Sequence, residues 1–254
     1  AAGIPSGLHF ISAAEISTAA PEHFPCHGSL HLLGYGVNPD DDQLRQALNR
    51  LQSARKNRNP RIIAKLNRLG IAITLDELEA GAADTQIGRP HIAAWLVKKG
   101  VVRTFEEAFE HYLGIGRPAY ADKHRIACEE AIRLISNGGG VPVLAHPALV
   151  APQGVWSLKE LICELKECGL KGIEAFYPEH TAKQTATYLA WADQYDLVAT
   201  GGTDFHGAIK PGIEMGIAGG DFHVPYQSYI HLTALIEQAR TTPDAHAGKP
   251  GSGE

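Results

Sequence analysis

From Cys128 to Gly201, helix-length and strand-length apolar segments alternate without interruption, and this restricts the fold more than any other feature of the chain. Cys128 to Ser136 reads as a helix that ends at Gly138-Gly-Gly, and Val141-Pro-Val-Leu-Ala-His146-Pro147 as a strand closed by a histidine. Leu158 to Cys168 is a second helix, stopped by Gly169, and Leu170 to Tyr177 a second strand. Thr181 to Tyr195 and Leu197 to Gly201 repeat the pair once more. Units of this length predict parallel strands with right-handed crossovers, and so an α/β barrel or a doubly wound sheet. In such folds reactive groups gather at the C-terminal ends of the strands. No Lys-Ser/Thr follows the Gly138 run, which is therefore a helix-to-strand turn and not a phosphate loop.

Two kinds of segment precede this run. Leu8 to Ser17 is predicted to be a strand ending in the carboxylate of Glu15, and Ser29 to Gly36 a neighbouring strand that contains His31. From Asp40 to about Tyr120 the periodicity is helical. One of Asp40, Asp41 and Asp42 caps a helix bearing Leu44, Leu48 and Leu51, and Asn59-Pro60 opens another that carries Ile62, Ile63, Leu66 and Leu69 up to Gly70. Thr74 stands three residues before Glu77, a capping-box spacing. Gly88-Arg89-Pro90 introduces Ile92 to Val97, and Thr104 introduces Phe105 to Leu113. Short helices with no strand between them predict an inserted helical subdomain. The expected organisation is barrel strands over 1–39, the helical insertion over 40–120, the rest of the barrel over 121–240 and a mobile tail over 241–254.

With 254 residues, 44% hydrophobic and 20% charged, the chain can bury a sizeable core and is not mainly disordered. No apolar run reaches the length of a membrane span and no basic, then apolar, leader opens the chain, so a cytoplasmic protein without membrane contact is expected. Cys26, Cys128, Cys163 and Cys168 form no C-x-x-C pair, which predicts reduced thiols. A net charge of −5 argues against chain-wide attraction to nucleic acid. Locally the balance reverses: Arg45, Arg50, Arg55, Lys56, Arg58, Arg61, Lys65 and Arg68 have no acidic residue among them. That run is either a solvated helical face or a landing surface for a polyanion.

The stretch Val198-Ala-Thr-Gly-Gly-Thr-Asp204-Phe-His206 ends an apolar run in two glycines and two potential metal ligands. In extended chain Asp204 and His206 point to the same side, and Gly201 and Gly202 allow close backbone approach before them. Glu15, His31 and His146 also lie in or at the ends of predicted strands, and this shared placement argues for one site. Imidazole and carboxylate donors together suit Mn, Zn or Fe, and a glutamate with several histidines suits a multinuclear hydrolytic centre. His23, Cys26, His27 and His31 are a second candidate, a small zinc cluster, although their spacing matches no standard pair of ligand knuckles.

Glu15-Ile-Ser, His31-Leu-Leu-Gly-Tyr, Gly88-Arg-Pro-His91-Ile-Ala, Gly116-Arg-Pro-Ala-Tyr120, Leu144-Ala-His146-Pro and Thr203-Asp204-Phe-His206-Gly, in this order, resemble the PHP (polymerase and histidinol phosphatase) family. The similarity is greatest to its branch of 3′,5′-nucleotide bisphosphate phosphatases and RNase AM, and it extends to about residue 220. The resemblance implies a distorted (β/α)7 barrel with a helical insertion and a trinuclear metal centre, manganese first, with zinc or iron as alternatives. It implies hydrolysis, by metal-activated water, of a 3′,5′-bisphosphate nucleotide or of the 5′ end of a short RNA, with no protein partner. By position, Glu15 would bridge two metals, His31 and His146 would complete one of them, Asp204 would bind another and His206 the third. Arg89, His91 and Arg117 would hold substrate phosphate. Gly-Arg-Pro at a helix start suits that role, because it puts a guanidinium beside free backbone N–H groups; the competing reading is an ordinary Pro-initiated helix with an exposed arginine.

Members of that family begin with a His-x-His strand, an aspartate in a Ser-Asp-Gly turn and an Asp-His pair, none of which precedes Glu15 here. The chain is therefore expected to begin roughly 50 to 60 residues late, two strand–helix units of about 30 residues each. The third metal would then keep His206 alone and the first Glu15 and Asp204. Glu15, His31 and His146 would still give one ion three protein ligands, enough for a catalytic metal with an open position. Two functional expectations follow: a metal-dependent phosphoesterase, or a truncated or degenerate barrel that binds nucleotide or metal without catalysis.

Overall fold

Burial alternates along β1 (Ala13–Ala19), which puts Ile16 and Thr18 on one face of a sheet and Glu15 and Ser17 on the other. The computed structural model describes residues 7–79, 87–122, 124–205, 213–219 and 222–241. They fall into two compact units, Ala1–Gln46 with Arg125–Glu254, and Ala47–His124. The first unit is mixed α/β. After β1 come β2 (Cys26–Gly28), β3 (Leu30–Tyr35), β4 (Ile126–Ala127), β5 (Val141–Leu144), β6 (Val150–Pro152), β7 (Gly172–Phe176) and β8 (Val198–Gly201). Six of these form one sheet in the order β4-β1-β3-β5-β7-β8, and β2 pairs with β6 in a separate ribbon. No pair joins β4 to β8 among the described residues.

β5, β7 and β8 are parallel as expected, and the sheet is reversed at one strand, β3. β4, β1, β5, β7 and β8 share a direction, and β3 runs against both its neighbours. A parallel partner for β1 would need a crossover of a dozen or more residues. Residues 20–29 hold only a turn and β2, which is too short a path for a crossover helix. A correction concerns β1, in which Glu15 is an early residue and not the last. Leu8 and Phe10, placed in this strand by their hydrophobicity, are exposed and have no sheet partner among the described residues.

Residues opposite one another in a ladder share a face, so the register assigns the sides. Glu15, Ser17, His31, Leu33, Tyr35, Val143, Gly172, Glu174, Val198 and Thr200 fall on one face. Over the apolar part of that face lies α8 (Tyr226–Thr241), whose Leu232 and Ile236 pack with Val141, Val143 and Val198. Ile16, Leu32, Leu144 and Ile173 are buried on the opposite side. The remaining helices of this unit, numbered after those of the second, include one over Cys128–Asn137, one over Leu158–Glu167 and one over Ala182–Gln194. Ser157 with Glu160, and Thr181 with Gln184, close reciprocal capping boxes at the last two.

The second unit is helical: α1 (Asp42–Arg68, entering from the first unit), α2 (Leu75–Glu79), α3 (Arg89–Lys98) and α4 (Phe105–Ala108), the last continuing as a π-helical turn over Phe109–Leu113. Ile62, Leu66, Ile92, Leu96 and Leu113 are fully buried in its core. At about 1.5–3 kcal/mol for each such side chain, this cluster is enough to give the unit a core of its own. The Thr74–Glu77 capping box forms as expected. No helix among the described residues is long and apolar enough to cross a membrane. The tail expectation falls on 242–254, outside the described residues.

Asn59-Pro60 opens no new helix, because α1 runs through it. Asn59 is buried, donates to the carbonyl of Ile87 and stands beside the buried Ile62 and Ile63, so packing carries the helix across a residue that cannot donate to Lys56. Pro60 itself is exposed. Pro60→Ala restores that donor without removing a packed side chain, and should raise the stability of the protein by about 1–2 kcal/mol after allowing for the freer unfolded chain. A urea-denaturation midpoint that is unchanged or lower would show that the proline costs nothing.

Candidate metal centre

The β1–β3 register sets Ser17 opposite His31, on the face that also carries Glu15. The Ala145 N–H donates to the His31 carbonyl at 3.0 Å, which extends the β3–β5 ladder one step and delivers His146 beside His31. The two rings meet edge to face with centroids 5.0 Å apart. Three donor atoms then form a triangle: Glu15 Oε1 to His31 Nδ1 is 2.7 Å, Glu15 Oε1 to His146 Nε2 is 3.2 Å, and His31 Nδ1 to His146 Nε2 is 3.1 Å. Donors bound about 2.1 Å from one ion stand about 3.0 Å apart along an octahedral edge and about 3.4 Å apart along a tetrahedral one. The triangle therefore fits a single divalent ion, and these residues form a candidate metal-holding group.

Electrostatics of the metal-free group point the same way. Burial opposes charge on Glu15, yet hydrogen bonds with His146 and His31 and the charges of both rings hold it well below the usual carboxylate range. Burial likewise opposes a charged His146, and the hydrogen bond and charge of Glu15, helped by Glu174 and Asp204, lift the ring above the ordinary histidine value.

His146 is buried and its backbone is left-handed, with φ 25° and ψ 63°. Its N–H donates to Glu174 Oε2 at 2.7 Å, and its ring packs on Tyr177 at 5.7 Å between centroids. Nδ1 is buried without a hydrogen-bond partner among the described residues, so Glu15, Tyr177 and the backbone hold the ring. Glu174 was not singled out in the sequence, although a carboxylate inside the apolar run Leu170 to Tyr177 is itself a signal. Tyr177 and His180 were missed too. The Tyr177 hydroxyl lies between Glu179 Oε1 at 3.3 Å and Asp204 Oδ2 at 3.4 Å. His180 donates from Nδ1 to the carbonyl of Ala175, and its buried Nε2 has no partner among the described residues.

Asp204 also has positive φ, 47°, and its charge reaches His146 and Glu174, but its carboxylate is not one of the three converging donors. β8 comes so close to β7 that a Cβ on Gly201 would lie 2.5 Å from the Phe176 carbonyl oxygen, the close approach expected of this glycine. On Gly202 a Cβ would meet only Glu174 Oε1, at an ordinary 3.6 Å. His206 lies outside the described residues. The alternative zinc cluster does not gather: His23 bonds Glu164, while Cys26 and His27 belong to the β2–β6 ladder.

The three expected phosphate ligands all belong to the helical unit. Arg89 begins α3, donates to the Leu113 carbonyl at 3.1 Å and stands 5.8 Å from the Phe109 ring centroid and 5.6 Å from that of Tyr120. His91 accepts the Gly88 N–H on Nδ1 at 3.0 Å, so its proton is on Nε2, and burial lowers its pKa. Arg117 is exposed.

No protein-family model matches the chain. It is 29% identical over 217 residues to a 3′,5′-nucleoside bisphosphate phosphatase of Chromobacterium violaceum, covering 85% of this chain and 74% of that protein. It is 30% identical over 200 residues to a 5′-3′ exoribonuclease of Haemophilus influenzae, covering 79% and 70%. Among solved structures, one from Bifidobacterium adolescentis, described provisionally as a metal-dependent phosphoesterase, superposes with a TM-score of 0.73 at 25% identity over 90% of this chain and 77% of that one.

Burial pushes Glu174 up to about 7 against the lowering effect of the His146 N–H. An acid whose folded pKa is raised favours the fold while protonated: its stabilisation is complete below the unfolded value near 4.5 and is lost as pH rises through about 7. The slope in that window is at most about 1.4 kcal/mol per pH unit. Glu174→Gln keeps an acceptor for the His146 N–H and removes the titration. In metal-free protein it should flatten the decline in unfolding free energy across this window, and an unaltered decline would refute the assignment.

Proposed function

Because the chain belongs to the PHP (polymerase and histidinol phosphatase) family, we propose that it is a metal-dependent hydrolase of nucleotide phosphate esters, acting on a 3′,5′-bisphosphate nucleotide or on the 5′ end of a short RNA. The observation that carries this reading is the triangle of Glu15, His31 and His146. The named activities of the two relatives, one on bisphosphate nucleosides and one on RNA, supply the substrate class.

A bound divalent ion supplies Lewis-acid activation of water and of a phosphoryl oxygen. Glu15, His31 and His146 would hold it, while Asp204, at the end of β8, and His206, which follows it in sequence, would each serve a different ion. The mixed donor set accepts Mn, Zn or Fe, with Mn put first. Glu174 fixes the peptide of His146, and Tyr177 orients Asp204 through its hydroxyl. Arg89, His91 and Arg117 would receive phosphate: the arginines as forked cations, and His91 as a neutral donor, since its Nδ1 is engaged and its Nε2 carries the proton. Four free cysteines suit a cytoplasmic setting, and no protein partner is required.

His146→Ala removes one donor of the triangle and should lower both metal affinity and turnover of a 3′,5′-bisphosphate nucleotide by more than about 100-fold, beyond the range typical of outer-shell partners. Asp204→Ala should also lose turnover. Full metal-dependent activity in both variants would overturn the reading; a wild-type protein that binds metal but turns over neither nucleotide nor RNA would instead be the non-catalytic barrel.

Metal affinity should also depend on pH. His146 must lose its proton to ligate, and Glu15 holds that proton above the ordinary histidine value of 6.5. Calorimetric titration should therefore show affinity still rising with pH above 6.5, whereas a plateau reached below it would contradict the Glu15–His146 coupling.

A further inference from the structure

The charge of the protein is distributed unevenly, and α1 is where the asymmetry lies. Residues 45–68 hold eight of the 23 Lys and Arg and no acidic residue, leaving 15 basic residues against 28 acidic ones elsewhere. The structure gives several of the eight a local role. Arg45 pairs with Asp42, Arg58 is buried, and Lys65 donates to the Tyr120 carbonyl. Arg50, Lys56, Arg61 and Arg68 are all exposed, and none makes an ion pair among the described residues.

Three of these four are aligned. At about 100° per residue, Arg50, Arg61 and Arg68 fall within about 20° of one another around the helix, and at about 1.5 Å per residue they span about 27 Å. Asn57, exposed, falls on the same stripe and adds an amide. Ile62 and Leu66, which pack into the core, point well away from it. An ordinary solvated helix face intersperses charges of both signs. Here Arg61 and Lys65 stand at i and i+4 with like charge, an unfavourable arrangement, and no ion pair with a carboxylate offsets it among the described residues.

We propose that the Arg50–Arg61–Arg68 stripe is a docking surface for the phosphate backbone of a single-stranded RNA several nucleotides long, and that RNA, not a free nucleotide, is the preferred substrate. A flexible strand lays successive phosphates along a straight row of guanidiniums, and a mononucleotide is too short to reach more than one of them. The docking surface stands on α1 alone; the substrate preference also rests on the phosphoesterase reading above.

The test is anisotropy of a labelled, 5′-phosphorylated ten-nucleotide RNA as salt is raised, with the metal-loaded full chain. Each phosphate contact on a single strand contributes about 0.7 to the slope of log K against log salt, so Arg50→Gln/Arg61→Gln/Arg68→Gln should lower the slope by about 2. Glutamine preserves helix propensity. A control that removes three exposed cations elsewhere, Lys98→Gln/Arg133→Gln/Lys183→Gln, should leave the slope within about 0.5 of wild type. Turnover of the 3′,5′-bisphosphate mononucleotide should be unchanged in the stripe variant. A stripe variant that keeps the wild-type slope, or a control that loses as much, overturns the surface, and polyglutamate bound as tightly and with the same stripe dependence overturns its assignment to RNA. Stripe-dependent RNA binding by a protein that hydrolyses nothing keeps the surface and removes only the hydrolase reading.

Discussion

The candidate site depends on the direction of one strand. β3 lies between β1 and β5 and runs against both, so its N-terminal end reaches the same edge as the C-terminal ends of its neighbours. That is how His31, early in its strand, comes level with His146, which follows the end of β5. Faces alternate with period two, so a slip of one residue in either ladder would turn His31 or Glu15 to the opposite face of the sheet and separate the three donors. The same register places Val143, Val198 and the α8 contacts on the face that carries the site, so the apolar packing that fixes the register lies in the same layer as the polar cluster.

Around this cluster three carboxylates compete for little positive charge. Glu15 takes the contacts to both imidazoles and is driven well down, while Glu174, with one backbone N–H and heavy burial, is driven up. Two acids in one pocket whose proton affinities diverge in this way are a metal-free compromise. A divalent cation would relieve it by adding positive charge near Glu174 and Asp204, and folding and metal loading would thereby be linked at this end of the sheet.

Much of the secondary structure was legible in the sequence because it is written locally. Thr74 announces its helix three residues ahead of Glu77, the partner that closes the cap, and the structure shows the same spacing at Ser157 and Thr181. Glycine marks the turn before β5, and Gly201 marks a close approach that the β7–β8 pair requires. What was not legible depends on contacts far along the chain. The orientation of β3 is settled by the short path from β1, Asn59 carries α1 across Pro60 through a bond to Ile87, and Glu174 matters because the peptide of His146 lies above it. Chemistry-bearing histidines stand out in a sequence; the carboxylate that fixes one of them reads as an interruption in an apolar strand. For Arg89, the Leu113 carbonyl and two aromatic rings form a setting that neither composition nor spacing discloses.

Two residues at the sheet edge, His146 and Asp204, sit at positive φ, where a side chain is tolerated and glycine is comfortable. Local strain of this kind sets heat resistance against chemistry at single positions. A screen for thermal tolerance alone would be expected to discard these two side chains early, since shedding them relaxes the backbone and, at His146, also frees a buried nitrogen from its unmet hydrogen bond. Robustness gained along that route would come out of the very edge that carries the candidate metal site.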